Sequence, residues 1–195
     1  MGIGPAQMIL LQDSLQLTTE LVFPELQMLE FGNQYTFRLA GREQVPAKLV
    51  FQWLGVKHTS IDINGKDGAL KLDLGQPLPA EFTGFDVVTN FGCIEHIKGH
   101  YQAWKNIHDA CRIDGIMVHA LPDEGSWPGH GRVLYRIGCV RRLAFACGYR
   151  VVILGQHKKW KRKSGRHLIH CCFQRTAAPF VSEKTFNTLM HEVGQ

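Results

Sequence analysis

One stretch constrains the fold of this chain more than any other, the segment FDVVTNFGCIEHI at residues 85–97. It begins with an apolar run of strand length and continues through a small-residue turn. It ends with an acid and a histidine that we expect to open a helix. Strand, turn and helix form the repeating unit of an open parallel sheet, where ligands bind just beyond the carboxyl ends of the strands. We therefore expect a binding site at this turn.

Strand and helix patterns alternate along the rest of the chain. Apolar residues at helical spacing predict helices within 7–22, after Pro46 (with Leu49 and Trp53 on the buried face), within 101–111, within 133–147 and after Pro179. Short apolar runs predict seven strands, at residues 26–31, 59–63, 69–74, 85–90, 116–121, 150–154 and 167–173. This order predicts an α/β fold with a Rossmann-like, doubly wound, mostly parallel seven-stranded sheet and a C-terminal antiparallel hairpin.

The composition is that of a chain able to bury a core of its own. Of its 195 residues, 45% are hydrophobic. A single domain over residues 1–195 is expected, with an N-terminal helix in 1–24, a core over 26–174 and a tail over 175–195. No apolar run is long enough to span a bilayer, and no signal-peptide pattern opens the sequence. The six cysteines lack a CxxC pair, so we expect reduced core thiols in a cytoplasmic protein.

The segment at 85–97 resembles the fourth-strand motif of the class I S-adenosylmethionine-dependent methyltransferases, in particular those of type 11. The sequence LEFGNQ at residues 29–34 stands where that family has its first motif, an acid and a glycine-rich turn. The resemblance extends over residues 26–174 and implies S-adenosylmethionine as the cofactor. Asn33 and Gln34 stand where the family usually has further glycines. This departure leaves open a non-catalytic binding module with the same fold.

The resemblance also implies roles for residues at the predicted strand ends. Glu30 would lie near the methionyl end of the cofactor. Asp62 would accept hydrogen bonds from both ribose hydroxyls, as acids do in dinucleotide-binding folds. Asp73 would read the exocyclic amine of adenine. The full set of expected cofactor-binding residues is Glu30, Gly32, Asn33, Asp62, Ile63, Asp73, Leu74, Asn90 and Phe91.

The acceptor is expected at the Pro/Gly-rich loop after the fifth predicted strand. A methyltransferase must align its acceptor and, for a hydroxyl or amine, remove a proton. His130 is the candidate general base because a loop histidine titrates near neutrality, and His119 and Trp127 are candidate acceptor contacts. We interpret Glu95 as a first-turn acid and His96 as an orienting hydrogen-bonder. Little chain remains beyond the core fold, so we expect a small or medium-sized acceptor, methylated at oxygen or nitrogen.

A basic segment, HKKWKRKSGR at residues 157–166, supports a different function. Cations around an aromatic ring can hold a polyanion, so a nucleic-acid-binding protein or an RNA methyltransferase is the other alternative. The Asn/Asp-Pro-Pro-aromatic motif of amino-directed DNA methyltransferases does not occur. No metal site is predicted: His167, His170, Cys171 and Cys172 are close in sequence, but strand alternation separates the two cysteines. The sequence predicts no membrane partner and no particular oligomeric state.

Overall fold

The core of the protein is one mixed sheet, built from β1 (Gln27–Phe31), β2 (Lys57–Ile61), β3 (Phe85–Phe91), β4 (Cys111–Pro122), β5 (Arg150–Lys158) and β6 (His167–Gln174). A computed structural model describes residues 2–18, 23–37, 44–158 and 167–191. The strands lie in the order β2-β1-β3-β4-β6-β5. β1 is parallel to β2 and β3, and β3 is parallel to β4. β6 is antiparallel to both of its neighbours, so β5 and β6 form a hairpin whose second strand lies inside the sheet.

Helices cover both faces of this sheet. In the described ranges they are α1 (Pro5–Thr18), α2 (Ala47–Trp53), α3 (His100–Ala110), α4 (Ile137–Ala146) and α5 (Glu183–His191). Successive residues of a strand point to opposite faces, which divides the core in two. Leu29 and Phe31 of β1 pack with α3, α4 and α5, whereas Met28 packs with α1 and α2. The expected α/β class is therefore confirmed.

The predicted strand at residues 69–74 is wrong, and the described sheet has six strands, not seven. In this segment Leu70 forms an isolated parallel bridge with Ile61. The N–H of Leu72 then donates to the carbonyl of Leu70 at 3.0 Å, a tight turn that takes the chain away from the sheet. Asp73 begins a second turn, since its Oδ1 accepts the N–H of Gly75 at 2.8 Å. Turn hydrogen bonds thus replace a strand ladder here.

Helix α2 buries a different side from the one that the sequence pattern indicated. Its buried residues are Ala47 and Phe51, whereas Leu49 is 57% exposed and Trp53 is 85% exposed. The Phe51 ring stacks on the imidazole of His58 in β2, with the ring centroids 5.3 Å apart. This contact orients the helix. In a helix of seven residues, apolar spacing alone is a weak guide to the buried face.

Much of the basic segment proposed for polyanion binding lies outside the described residues, which omit 159–166. Its described residues, His157 and Lys158, end β5 and pair with Leu168 and His167 of β6. The nucleic-acid alternative therefore stays a prediction. A separate finding concerns membranes: no helix in the described ranges is long and apolar enough to cross one.

The cysteines are core residues, as expected. All six are free, and five are buried while Cys93 is half-buried. Cys171 and Cys172 of β6 lie in opposite halves of the core, Cys171 with α3, α4 and α5 and Cys172 with α1 and α2. The alternation of a strand thus separates the two neighbouring thiols.

Three buried histidines are held in their neutral form. His119 of β4 is fully buried, with its ring stacked on Trp104 of α3 at 4.7 Å. Burial lowers the pKa of His119 to about 3. Burial also lowers the pKa of His108 and of His170, each to about 4. Because an unfolded chain protonates histidine near pH 6.5, the unfolded state binds more protons than the folded state below that pH.

We expect acid to destabilise the fold from about pH 6.5 downwards, at about 1.4 kcal/mol per pH unit for each such histidine. His119→Leu removes one of these groups. The fall in the free energy of unfolding between about pH 6.5 and about pH 4.5 should therefore shrink by roughly 2 kcal/mol, because unfolded histidine is already half protonated at pH 6.5. Urea denaturation at a series of pH values measures this, with His167→Leu, at a half-exposed position, as the control. An unchanged pH dependence in His119→Leu would contradict the prediction.

Candidate functional site

The carboxyl ends of β1, β2, β3 and β4 meet at one edge of the sheet, and the loops beyond these ends form the candidate site. The chain passes from β1 outward to β2 and then returns to the other side of β1 as β3. Open parallel sheets bind ligands at such a reversal of strand order. The loops after β1 and β3 are in close contact, since a Cβ atom on Gly32 would lie 3.1 Å from the Sγ of Cys93.

Asp62 joins the loop after β1 to the loop after β2. Its Oδ2 accepts a hydrogen bond from the backbone N–H of Asn33 at 2.8 Å, and its Oδ1 accepts one from the N–H of Asn64 at 2.8 Å. A carboxylate oxygen can accept two hydrogen bonds. Each oxygen of this half-buried carboxylate therefore keeps capacity for a ligand hydroxyl.

The side chain of Asn33 makes a second link between the same two loops. Its Nδ2 donates to the Oδ2 of Asp67 at 2.6 Å, and the Tyr35 hydroxyl donates to the same oxygen at 2.7 Å. These hydrogen bonds, that of Tyr35 first, lower the pKa of the exposed Asp67 carboxyl. The asparagine at a usual glycine position therefore directs its side chain to the neighbouring loop and braces the turn.

Glu30, the acid of the first-motif segment, lies inside the protein. Its side chain is buried on the face covered by α1 and α2, and its Oε2 is 3.3 Å from the Nε2 of His58. Burial raises the pKa of Glu30, and the His58 partner offsets part of that rise. The structure therefore places Glu30 in a buried pair between β1 and β2. Its contact with a cofactor stays a prediction.

The loop between β2 and β3 carries three of the residues expected to bind the cofactor, Ile63, Asp73 and Leu74. Asp73 is exposed and Ile63 is 65% exposed, so both are accessible to a ligand. Leu74, by contrast, is a core residue. Asn106 of α3 fixes this loop because its Nδ2 donates to the carbonyls of Leu74 at 3.0 Å and Gln76 at 2.7 Å.

Asn90 and Phe91 support the turn after β3 from within. The Oδ1 of Asn90 accepts hydrogen bonds from the backbone N–H groups of Cys93 and Ile94, both at 3.2 Å. The Nδ2 of Asn90 lies 3.4 Å from the Nδ1 of His119. Phe91 is buried, and its ring belongs to the half of the core under α1 and α2. Asn90 and Phe91 thus lie beneath the turn, and their contact with a cofactor stays a prediction.

A cluster of Glu95, His96 and His130 lies beside this turn. Glu95 and His96 lie in a short 3-10 helix at Ile94–His96, with Glu95 as its first-turn acid, and the α-helix α3 begins separately at His100. The Oε1 of Glu95 is 3.8 Å from the Nε2 of His96 and 3.6 Å from the Nε2 of His130. Glu95 is fully buried, and burial raises the pKa of its carboxyl to about 7. The candidate base His130 therefore faces a buried carboxyl.

The backbone holds the loop that carries His130 against Glu95. The carbonyl of Glu95 accepts the N–H of Arg132 at 2.8 Å and that of Val133 at 3.2 Å. Gly131 has a φ of 75°, and a Cβ there would lie 3.0 Å from the Cγ of Glu95. A glycine is therefore required for this approach. No sequence motif indicated it, because the two segments are far apart in the chain.

The two candidate acceptor contacts are both buried. His119 lies in the core against Trp104. Trp127 is buried as well, and its Nε1 donates to the carbonyl of His167 at 2.5 Å. The Trp127 ring also lies 4.9 Å from the ring of His130. A direct contact of His119 or Trp127 with an acceptor stays a prediction, whereas both visibly support the neighbouring structure.

An open groove of about 720 Å³ lies next to this edge, between the start of α3, the segment after His130, and α5. Its walls include Lys98, Tyr101, Arg132, Tyr135, Phe186 and Met190. The Tyr135 hydroxyl lies 2.6 Å from the Nε2 of His100, which also accepts the Nε1–H of Trp104 at 3.2 Å. Sequence patterns did not predict this groove, since its walls come from segments that carry no common motif.

Gly32→Ala tests the tight contact between the loops after β1 and β3. Gly32 has a φ of 90°, and a Cβ there would also lie 2.8 Å from the Nε2 of Gln34. Gly84 is the matched control because its φ of 83° is similar but a Cβ would meet nothing within 4 Å. Both alanines lower the free energy of unfolding because of the left-handed backbone. Gly32→Ala should lower it by a further ~1–3 kcal/mol because of overpacking. Denaturant unfolding measures the difference. Equal destabilisation of Gly32→Ala and Gly84→Ala would contradict the prediction that the turn at Gly32 is tightly packed.

No protein-family model matches the sequence, and a search among curated proteins gives no match either. Solved structures do match. The 1,6-didemethyltoxoflavin-N1-methyltransferase of Burkholderia thailandensis is 15% identical with a TM-score of 0.58, over 87% of this chain and 79% of that one. The N-methyltransferase NodS of Bradyrhizobium japonicum is 14% identical with a TM-score of 0.60, over 87% of this chain and 85% of that one. Both were crystallised with S-adenosylhomocysteine.

A third similar structure is the [4+2]-cyclase SpnF, 13% identical with a TM-score of 0.60, over 88% of this chain and 82% of that one. At these identities the likeness concerns the fold. The chain thus has the fold of the class I S-adenosylmethionine-dependent methyltransferases.

Proposed function

We propose that the protein binds S-adenosylmethionine and transfers its methyl group to an oxygen or nitrogen of a small or medium-sized acceptor. The observation that carries the proposal is the position of Asp62. Its carboxylate lies at the end of β2 and binds the loop after β1, where the strand order reverses. It is oriented by the backbone of Asn33 and Asn64 and keeps capacity for ligand hydroxyls. A ribose offers two adjacent hydroxyls to such a group. Two structural neighbours with this fold were crystallised with S-adenosylhomocysteine, the demethylated product of the proposed cofactor.

Two of the remaining cofactor contacts are assigned by the exposure of their side chains, and the others by their position beside the site. Ile63 offers an exposed apolar surface to adenine, and Asp73 an exposed carboxylate to its amine. The backbone at Gly32–Asn33 would approach the methionyl part, as would the backbone after Asn90 and Phe91. Leu74 would contribute through its backbone, since its side chain is in the core. Glu30 would act from beneath the turn, through its pair with His58.

The chemistry requires little of the protein beyond positioning. The sulfonium of bound S-adenosylmethionine supplies an already activated methyl group. The protein must align the acceptor atom and, where it carries a proton, accept that proton. We assign proton acceptance to His130, whose Nε2 lies beside the Glu95 carboxyl at 3.6 Å. The carboxyl can orient the imidazole and stabilise its charged form.

The groove at α5 is our assignment for the acceptor. Its volume of about 720 Å³ falls within the range of pockets that take small molecules. Its lining combines apolar side chains, Phe186 and Met190, with charged ones of both signs, Lys98, Arg132, Glu124 and Glu183. Such a lining suits a molecule with an apolar body and polar groups.

A binding module without methyl transfer is the rival. It is favoured by Asn33 and Gln34 in place of the usual glycines, and by the burial of Glu30 away from the open edge. The [4+2]-cyclase among the structural neighbours carries a different activity on the same fold. This rival differs from the proposal in its response to S-adenosylmethionine and its demethylated product.

Isothermal titration calorimetry with S-adenosylmethionine and S-adenosylhomocysteine tests the cofactor assignment. Wild type should bind both, and Asp62→Ala should weaken each by about 10- to 100-fold because hydrogen bonds to a charged group are lost. Asp67→Ala is the matched control, since it removes the Asn33 side-chain link but leaves Asp62 in place. No heat from wild type with either ligand would reject the proposal and favour the rival.

Methyl transfer from radiolabelled S-adenosylmethionine to a panel of small alcohols, phenols and amines tests the activity. His130→Ala should lower kcat by about 100-fold or more while cofactor affinity stays unchanged, because a general base contributes at this level. A variant with the lysines and arginines of residues 158–166 changed to glutamine should keep its activity on small acceptors. Activity restricted to nucleic acid, and lost in that variant, would overturn the small-acceptor assignment.

A further inference from the structure

We propose that Glu95, His96 and His130 form a binding site for one late first-row divalent metal ion, such as Zn²⁺ or Co²⁺. Across the described ranges, this is the one group in which three such side chains bring ligand atoms within 4.8 Å of one another. Two imidazoles and one carboxylate form a donor set found in catalytic zinc sites, with a coordination position left open. The site does not depend on the proposed methyltransferase activity.

The distances suit an ion at the centre of the cluster. The Oε1 of Glu95 is 3.6 Å from one imidazole Nε2 and 3.8 Å from the other. Both separations exceed a hydrogen bond. Zinc bonds of about 2.0–2.2 Å set neighbouring ligand atoms roughly 3.3 Å apart, so each of these two separations would contract by about half an ångström or less on binding. All three ligand atoms lie within 4.8 Å of one another, and rotation of the two imidazoles would bring them onto one ion.

The Glu95 carboxylate provides the second line of support. It is fully buried, and in the described part of the chain neither of its oxygens takes part in a hydrogen bond. A buried carboxylate without a hydrogen bond is costly and calls for a partner. Both histidines present an Nε2 towards it. A metal ion between the three groups would satisfy the carboxylate and use both nitrogens.

The surrounding structure holds the three groups in place. The hydrogen bonds from Arg132 and Val133 to the Glu95 carbonyl, with Gly131 in close contact, fix the His130 loop on the 3-10 turn. The rings of His96 and Trp127 both lie 4.9 Å from the ring of His130. Imidazole nitrogen favours ions of the zinc class over Mg²⁺ or Ca²⁺, which prefer oxygen ligands.

A bound ion would change the role of His130. An Nε2 that coordinates metal cannot also accept the acceptor's proton, so the ligand role and the general-base role exclude each other in any one molecule. An ion with an open position would instead lower the pKa of a hydroxyl bound to it. Which role operates is therefore decided by metal content, a quantity measurable without any acceptor.

The test is titration of chelator-treated full-length protein with Co²⁺ and, separately, with Zn²⁺. Wild type should bind one ion, with the ligand-field absorption of Co²⁺ held by imidazole and carboxylate. Glu95→Gln, His96→Ala and His130→Ala should each weaken binding by about tenfold or more. The chain has ten histidines, so the matched control removes one outside the cluster: His157→Ala, at an exposed position on β5, should leave metal binding unchanged.

Absence of the Co²⁺ absorption from wild type overturns the proposal, whether or not the variants fold. Binding that persists in all three ligand variants also overturns it, since the ion would then sit elsewhere. The same samples are titrated with S-adenosylhomocysteine. Metal binding without binding of S-adenosylhomocysteine would reject the proposed function but support the metal site. Binding of S-adenosylhomocysteine without metal binding would support the proposed function but reject the metal site.

Discussion

The hydrogen bond from the Asn33 backbone to the Asp62 carboxylate links two loops that the sheet by itself leaves independent. Parallel pairing of β1 with β2 brings both strand ends to the same edge but does not fix the loops beyond those ends. With Asn64 bound to its other oxygen, Asp62 is oriented before any ligand arrives. A site formed in advance loses less conformational freedom on binding. This link helps to fix the loops after β1 and β2, and with them the close contact of Gly32 with Cys93.

The parts of the fold that arise from local pattern could be predicted from the sequence. The strands at Phe85–Phe91 and Lys57–Ile61 were expected within two or three residues, because apolar runs bounded by glycine or asparagine mark them. The alternation that separates Cys171 from Cys172 is a consequence of strand geometry alone. The strand predicted at 69–74 was wrong because leucines alternating with polar residues resemble a strand. Turn hydrogen bonds at Leu72 and Asp73 determine the structure of this segment instead.

Contacts between distant segments could not be predicted in this way. Glu30 pairs with His58, and Glu95 meets His130, because strand pairing and loop packing bring them together. Periodicity carries no information about such partners. The exposed Trp53 illustrates the same limit, since the buried side of helix α2 is determined by the stacking of Phe51 on the His58 ring of β2. The sequence thus indicated which residues could act and where they lie along the strands. Whether each of them is buried or accessible depends on tertiary contacts that the sequence pattern does not reveal.

Helix α5 is at once a wall of the groove and a separately docked element. Phe186 is buried between the rings of His100 and Tyr101, at centroid distances of 5.5 Å to each, and this contact holds the helix on α3. A molecule in the groove would touch the same helix, so occupancy and docking are thermodynamically linked and reciprocal. Any change that weakens the aromatic contact of Phe186 would therefore lower the affinity of a ligand in the groove, even if the changed residue does not touch the ligand. Conversely, a groove ligand would stiffen the helix, which couples affinity to the mobility of an element outside the sheet.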